Sequence, residues 1–308
     1  MLNIKSTYKS LDIEEWFDIY FTRPVGYVMA LFFNKFNVHP NIVTILSMLF
    51  GIMAGIMFYH SDLQHNVWGV VFLMFANFCD SCDGQLARMA HKSSQWGRIL
   101  DGFAGDVWFF CIYFAISCRL FHRDIPFTHM EWQWLAFIMC TISGVFFHAR
   151  QCQLSDYYRN IHLYFLPNIK SELNFSSVEQ QHLEKTPKKG NFWWRLFLKS
   201  YVSYTRSQER MTPHFQQMIQ YIREQRNDNI SDDFRTDFRV QSLPLMKYAN
   251  IVTINCRIFT LFFACLIDQP WLYPIVEMTV FAGIAGYMRH RHENMCADFY
   301  EKLKQGKY

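Results

Sequence analysis

The sequence is short of charge. Asp, Glu, Lys and Arg make up 18% of its 308 residues, against roughly 25% in an ordinary soluble domain, which argues against a plain soluble enzyme. It also lacks a strong imbalance of sign. The formal net charge of +4 is small for the length and is not gathered into a basic stripe, so no nucleic-acid partner is expected. A disulfide framework is missing too. The nine cysteines are odd in number and scattered through apolar runs, as at Cys111, Cys140 and Cys265, the pattern of buried reduced thiols. Cys79 and Cys82 make a lone CxxC without a second pair, which is weak evidence for metal or redox chemistry. No secretory apolar core opens the chain, whose start carries Lys5, Lys9, Asp12, Glu14, Glu15 and Asp18, so no cleaved signal peptide is expected. Internal repeats and low-complexity tracts are absent.

What is abundant is apolar and aromatic surface. Hydrophobic residues reach 51% and aromatic ones 18%, with 31 Phe, 16 Tyr and 9 Trp, which excludes a disordered chain and points to a membrane protein. The mean hydropathy of -0.04 averages apolar stretches with a long polar block. A bilayer core about 30 Å thick needs about 20 apolar residues per helix. Residues 41–59, 67–87, 99–118, 132–149, 248–267 and 271–288 meet that need, so an all-α integral membrane protein with six spans is expected. Residues 1–39 read as an interfacial amphipathic segment broken near Pro24, and 40–150 as the first four spans. Residues 151–245 read as a cytoplasmic helical insertion, 246–290 as the last two spans and 291–308 as a cytoplasmic tail.

Basic residues orient the spans. The links 61–66 and 268–270 contain no Lys or Arg, whereas Arg88, Lys92, Arg98, Arg289 and Arg291 lie on the opposite side. Both termini are therefore expected in the cytoplasm, with the cell membrane as the host. Only Arg119 and Arg123, in the third-to-fourth link, blur the pattern. Within the insertion, Trp193, Trp194, Phe197 and Tyr201 beside Arg195 and Lys199 suit a membrane surface, and Thr212-Pro213 suits the start of a helix reaching Arg226. The plainest reading of the insertion is a lid without chemistry. His91, His290 and His292 read as solvated residues at helix ends. Gly51-x-x-x-Gly55 is a weak sign of close helix contact.

The apolar spans contain carboxylates. Ionisable residues in such positions are costly and default to function. Asp80 and Asp83, spaced i, i+3, share one helix face, and Asp101 falls at a matching depth in the next span. Three converging carboxylates repel one another unless a cation sits among them, and hard divalent cations such as Mg²⁺ take oxygen ligands of this kind together with substrate phosphates. Gly84 and Gly97 leave room for a ligand to approach the backbone, and Arg88 can meet a phosphate. An ion-pair cluster of Asp83 with Arg88 is the bland alternative.

The spacing Asp80-x-x-Asp83-Gly84-x-x-Ala87-Arg88, eight residues, then Gly97-x-x-x-Asp101 resembles the signature of the CDP-alcohol phosphotransferase family. Seven identities fall within 22 positions. His39-Pro40-Asn41-Ile42-Val43-Thr44 is similar to that family's entry to its first span. The resemblance implies six transmembrane helices, a cytoplasm-facing site and a homodimer. It also implies transfer of a phosphoryl-alcohol unit from a CDP-linked donor to an alcohol, releasing CMP, with Mg²⁺ or Mn²⁺ at Asp80, Asp83 and Asp101. Asn41, Thr44, Gly84, Ala87, Arg88 and Gly97 become the candidate donor-binding residues.

One position departs from the family. Its fourth aspartate, taken as the base for the acceptor hydroxyl, should fall where this chain has Gly105, and Asp106 follows. A regular helix turns about 100° per residue, so Asp106 serves as the base if a π-bulge corrects the phase. For the acceptor, Arg150 in His148-Ala149-Arg150 and Arg257 are the candidate ligands of a phosphate. That segment is similar to one in family members with phosphorylated acceptors, such as phosphatidylinositol-phosphate synthases. The expected donor is CDP-diacylglycerol and the expected acceptor inositol phosphate or glycerol phosphate. Alternatives are a CDP-linked head group transferred to a lipid alcohol, a catalytically degenerate protein and a transporter. Glu277, at a similar depth, is the competing partner for Arg257.

Overall fold

The computed structural model describes residues 10–167, 173–188 and 190–308. Lys5, Lys9 and the side chain of Arg98 lie outside what it describes. The helices run in order α1 (Arg23–Lys35), α2 (Pro40–Tyr59), α3 (Leu63–Met89), α4 (Gln95–Leu120), α5 (Gln133–Thr141), α6 (Ala149–Tyr164), α7 (Ser176–Lys185), α8 (Phe192–Met211), α9 (Pro213–Arg226), α10 (Asp232–Ile251), α11 (Ile254–Leu266), α12 (Leu272–Val276) and α13 (Ala282–Lys304). Three π-helical turns among the described residues interrupt them, at Asp18–Thr22, Ile142–His148 and Glu277–Phe281. Among the described residues the only β feature is an isolated bridge between Asp124 and Glu131.

Among the described residues, four helical stretches are long and apolar enough to cross a membrane: Pro40–Tyr59, Ile99–Leu120, Gln133–Tyr164 and Asp232–Leu266. The expected segments 67–87 and 271–288 are not among them. The first lies in α3, where Asp80 and Asp83 dilute its apolar character. The second is divided among α12, the π turn at Glu277 and α13.

The chain forms two compact units, one of the residues up to Arg150 with Thr253–Phe281, the other of Gln151–Val252 with Ala282–Tyr308. In the first, helix starts are set by local chemistry. Pro40 opens α2, where its missing N–H is not needed, and the His39 side chain accepts from the Asn41 N–H at 3.3 Å. Asp62 caps α3 by accepting from His65 N–H at 3.1 Å, and Ser94 caps α4 by accepting from Gly97 N–H at 3.0 Å. The expected break near Pro24 takes the form of the π turn just ahead of it. Proline cannot donate to the carbonyl four residues back, and the Arg23 N–H reaches five residues back to the carbonyl of Asp18.

Gly51 and Gly55 do mark a close approach. A Cβ at Gly51 would stand 2.0 Å from the Trp108 ring of α4, and one at Gly55 would stand 3.0 Å from the backbone of Cys111. Trp108 is thereby fully buried among Ala54, Phe58, Ile112 and Leu261. The two basic residues that blurred the loop pattern are also accounted for. Arg119 donates to Asp268 at 2.6 Å, to Asn66 at 2.9 Å and to the Phe58 carbonyl at 3.2 Å, while Arg123 donates to Asp268 at 2.9 Å. One carboxylate thus answers both guanidiniums.

The second unit is built on aromatic packing. Tyr157, Tyr158, Phe165, Phe215, Phe234, Phe238 and Phe299 are all buried. α8 buries Leu198, Val202 and Thr205 on one face and leaves Phe192 and Trp193 exposed. α9 starts at Pro213 as its sequence predicts, but Thr212 does not cap it. The Thr212 hydroxyl donates back to the Gln208 carbonyl at 3.1 Å, and the His214 N–H is met by Glu293 at 2.7 Å. α9 ends at Asn227, whose φ of 50° is left-handed, a conformation Asn tolerates well.

Candidate functional site

The site in the first unit is assembled from α2, α3 and α4. Asp80 and Asp83 lie in α3 and Asp101 in the second turn of α4. Asp80 shares a side-chain hydrogen bond with Asp101, and Asp83 lies in the field of the Asp101 carboxylate. Asp83 is buried, while Asp101 is exposed. The Thr44 hydroxyl of α2 bonds the Asp83 carboxylate, and Arg88, just over one turn on, adds a positive charge beside it. Arg23 of α1, held by Glu14 at 2.9 Å, stands within electrostatic reach of Asp80.

Several candidate donor-binding residues are therefore neighbours. A Cβ on Gly97 would come within 3.3 Å of Asn41 Oδ1, and one on Gly84 would meet only the tip of the Arg88 side chain, at 3.6 Å. Asn41, Thr44 and Gly97 line the junction of α2 with the start of α4. Gly84 and Arg88 continue the α3 face that bears the aspartates. Ala87 is partly buried on the same helix.

Two expectations meet structural findings that bear on them. α4 is α-helical throughout Gln95–Leu120, so the π-bulge that would aim Asp106 at the cluster is absent. On a regular helix position 105 sits about 40° around from Asp101 and position 106 about 140°. Asp106 is exposed and has no hydrogen-bond or ionic partner among the described residues. Gly105 has open space where a Cβ would be.

The second finding concerns Arg257. Its guanidinium is fully buried and forms an ion pair with the fully buried Glu277, so the charge is met inside the protein and is not left free for an acceptor. His148 Nδ1 lies 3.1 Å from Arg257 and 3.2 Å from Glu277. The Tyr113 hydroxyl bonds Glu277 and lies 3.3 Å from the Tyr273 hydroxyl, and Phe281 covers the guanidinium at 5.3 Å. Arg150, the other candidate, is exposed at the end of the unit. Sequence reasoning missed Tyr113 and His148 as partners of this pair. Their signal was faint, since each reads singly as an ordinary core residue.

The anchoring of the N-terminal segment was missed as well. Glu15 bonds Thr253 and accepts from Asn255 at 2.7 Å, and Asp18 accepts from Asn255 at 3.0 Å. These acids tie the segment before α1 to the start of α11.

The donor set fits a hard divalent cation: three carboxylates from two helices, with a hydroxyl and a guanidinium at the rim. Their oxygens are not drawn as tightly as those of two other groups. His60, Asp62 and His65, and separately His292, Glu293 and Cys296, each bring ligand atoms within 4.8 Å of one another. The first of these groups lies at the exposed start of α3, where Asp62 already caps the helix and bonds His65 Nδ1 at 2.6 Å.

Comparison with known proteins falls on this region. The profile of the CDP-alcohol phosphatidyltransferase family matches residues 37–159, which include every residue of the α2–α4 site, so this segment of the chain is similar to that family. An uncharacterized protein of Aquifex aeolicus (strain VF5) is 34% identical over 71 residues, covering 23% of this chain and 34% of that protein. The chain thus spans about a third of that relative's length. No solved structure matches the chain.

Proposed function

We propose that the chain, with a CDP-alcohol phosphatidyltransferase segment at residues 37–159, moves a phosphatidyl group from CDP-diacylglycerol to a polar alcohol and releases CMP. The observation that carries this reading is the meeting of Asp80, Asp83 and Asp101 from α3 and α4. That grouping serves no packing purpose and is electrostatically unfavourable by itself. Asp80, Asp83 and Asp101 are the residues that would hold Mg²⁺ or Mn²⁺. Such an ion, when bound, supplies positive charge at the donor's phosphates and the developing negative charge.

The chain's own groups do the rest. Thr44 holds Asp83 in place, which fixes that carboxylate's direction. Arg88 faces the phosphates from the same helix, and Asn41 with Gly97 leaves a narrow, polar approach for the cytidine end. The acceptor hydroxyl must lose its proton as it attacks phosphorus. Asp106 is the α4 carboxylate outside the cluster and is proposed to take it, approaching from the flank. Burial of Arg257 against Glu277 favours an acceptor whose recognition does not need that guanidinium, and so an alcohol without a phosphate over a phosphorylated one. The same observation supports a second reading, transfer of a polar head group from its CDP derivative to a lipid alcohol.

Six spans with both termini cytoplasmic remain the proposed topology. At about 1.5 Å per residue, the 27 residues of α3 extend about 40 Å, long enough to cross a core of about 30 Å and carry the aspartates to one edge. The test uses purified protein in detergent with labelled CDP-diacylglycerol and a panel of inositol, inositol phosphate, glycerol phosphate and serine. The expected result is acceptor-dependent CMP release with a labelled lipid product. CMP release only from a CDP-linked head group with diacylglycerol would move the assignment to the second reading. No CMP release from either donor would defeat both.

A further inference from the structure

The second unit holds a group that the reaction does not use. His292, Glu293 and Cys296 stand on consecutive turns of α13 and are 1%, 7% and 0% exposed. The sequence reading of His292 as a solvated helix-end residue fails because α13 continues to Lys304, which places it mid-helix. His292 Nδ1 lies 3.6 Å from Cys296 Sγ and 3.7 Å from Glu293 Oε1. The imidazole is fixed from both sides, stacked on Tyr158 at 4.0 Å and flanked by Phe215 at 6.2 Å.

We propose that His292, Glu293 and Cys296 form a Zn²⁺ site. Three observations converge. The first is chemical: imidazole, carboxylate and thiolate are the ligand types Zn²⁺ takes, and i, i+4 spacing places the imidazole and thiol on one helix face. The second is metric. Zn–N, Zn–O and Zn–S bonds of about 2.0–2.3 Å set the edges of a tetrahedron at roughly 3.3–3.6 Å, close to the two separations from the imidazole, and all three ligand atoms lie within 4.8 Å of one another. The third is an unmet demand for partners. Glu293 Oε1, which faces the imidazole, has no hydrogen bond among the described residues. A buried carboxylate oxygen left without a donor is costly, and a cation between the three side chains answers it.

Charge balances at such a site. Zn²⁺ displaces the Cys296 proton to solvent, and thiolate and carboxylate together neutralise the ion. The other oxygen of Glu293 stays with the His214 N–H at the start of α9. One carboxylate would then bind the metal and cap α9, so the ion would tie α13 to α9. His214, with Nδ1 3.7 Å from Glu293 Oε2 and its side chain half exposed, lies on the far side of that carboxylate, so water would complete the shell. The competing account is a thiol–imidazole hydrogen bond beside a carboxylate that only caps α9.

The test uses the full chain in detergent, stripped with chelator, re-equilibrated with Zn²⁺ or Co²⁺ and freed of excess metal. The expected result is one tightly held Zn²⁺ per chain, lost in Cys296→Ser and in His292→Gln. The Co²⁺ form should show a thiolate-to-cobalt charge-transfer band that an all-oxygen site cannot give, and Cys296→Ser should abolish it. If both variants misfold, the spectrum of the unsubstituted Co²⁺ protein decides. No retained zinc, a cobalt spectrum without the thiolate band, or undiminished metal in both variants would overturn the site.

Discussion

The aspartates of α3 and α4 and the Arg257–Glu277 pair are both charge set among apolar helices, and they are settled in opposite ways. At Arg257 every charge has its complement within the protein: a carboxylate, an imidazole, a tyrosine hydroxyl and an aromatic face. At Asp80, Asp83 and Asp101, like charges meet, with Thr44 and Arg88 at the edge. The first arrangement is complete by itself, and its loss would be felt as stability. The second gathers like charges, which the proposed cation and donor phosphates would answer. Charge among apolar helices is thus the stronger candidate for function where like charges meet than where opposite charges pair.

Substitutions sharpen this contrast. The largest effect on turnover belongs to the aspartates. Asp80→Asn, Asp83→Asn and Asp101→Asn should each lower CMP release by about 10³-fold or more, given several kcal/mol of transition-state stabilisation from a bound ion. Each variant should keep its unfolding temperature, and chelation should reproduce the loss reversibly. Activity that survives both treatments would break the comparison on its functional side.

A smaller loss is expected at Asp106. General-base help is worth about 10²–10⁴-fold, and the flanking position of Asp106 puts Asp106→Asn near the lower limit. Adding Gly105→Asp to that variant should recover part of the activity. The regular α4 aims position 105 within about 40° of Asp101, and there is open space for the side chain. Unchanged turnover in Asp106→Asn would remove the residue from the reaction.

The Arg257 pair should give the smallest effect on turnover per folded molecule and a large one on stability. Arg257→Gln strands a buried carboxylate, a loss of about 3–5 kcal/mol, read as a lower unfolding temperature in detergent. Adding Glu277→Gln should restore most of it. If the double variant folds well but has lost affinity for the acceptor alone, Arg257 belongs to the site after all and the two kinds of charge are not distinct.

The aspartate cluster was legible because its members are close in sequence. Helical spacing puts Asp80 and Asp83 on one face, and a single turn brings Asp101 opposite. The Arg257 pair was legible only as a competing possibility, since Arg257 and Glu277 are separated by α12 and their other partners come from α4 and the π turn at Ile142–His148. Four of six expected spans correspond to long apolar helices, in whole or in large part. The other two contain the charge that hydropathy cannot distinguish from an ordinary polar helix. His292 was misread because the sequence gives no sharp end to α13, and a histidine's burial depends on what packs over it, here Tyr158 and Phe215.

The three π turns have a consequence for ancestry. Such a turn holds one residue more than the α-helix it interrupts, so it behaves as a single insertion frozen into a helix. Relatives without the turns should align with this chain only across one-residue gaps near 18–22, 142–148 and 277–281. Downstream of each gap, residues with equal offsets from a shared landmark would face directions about 100° apart. Two of these insertions border the buried pair: His148 closes one and Glu277 opens another. A lineage that lost either insertion would have had to find a new counter-charge for Arg257, so the pair and its turns should be inherited or discarded together.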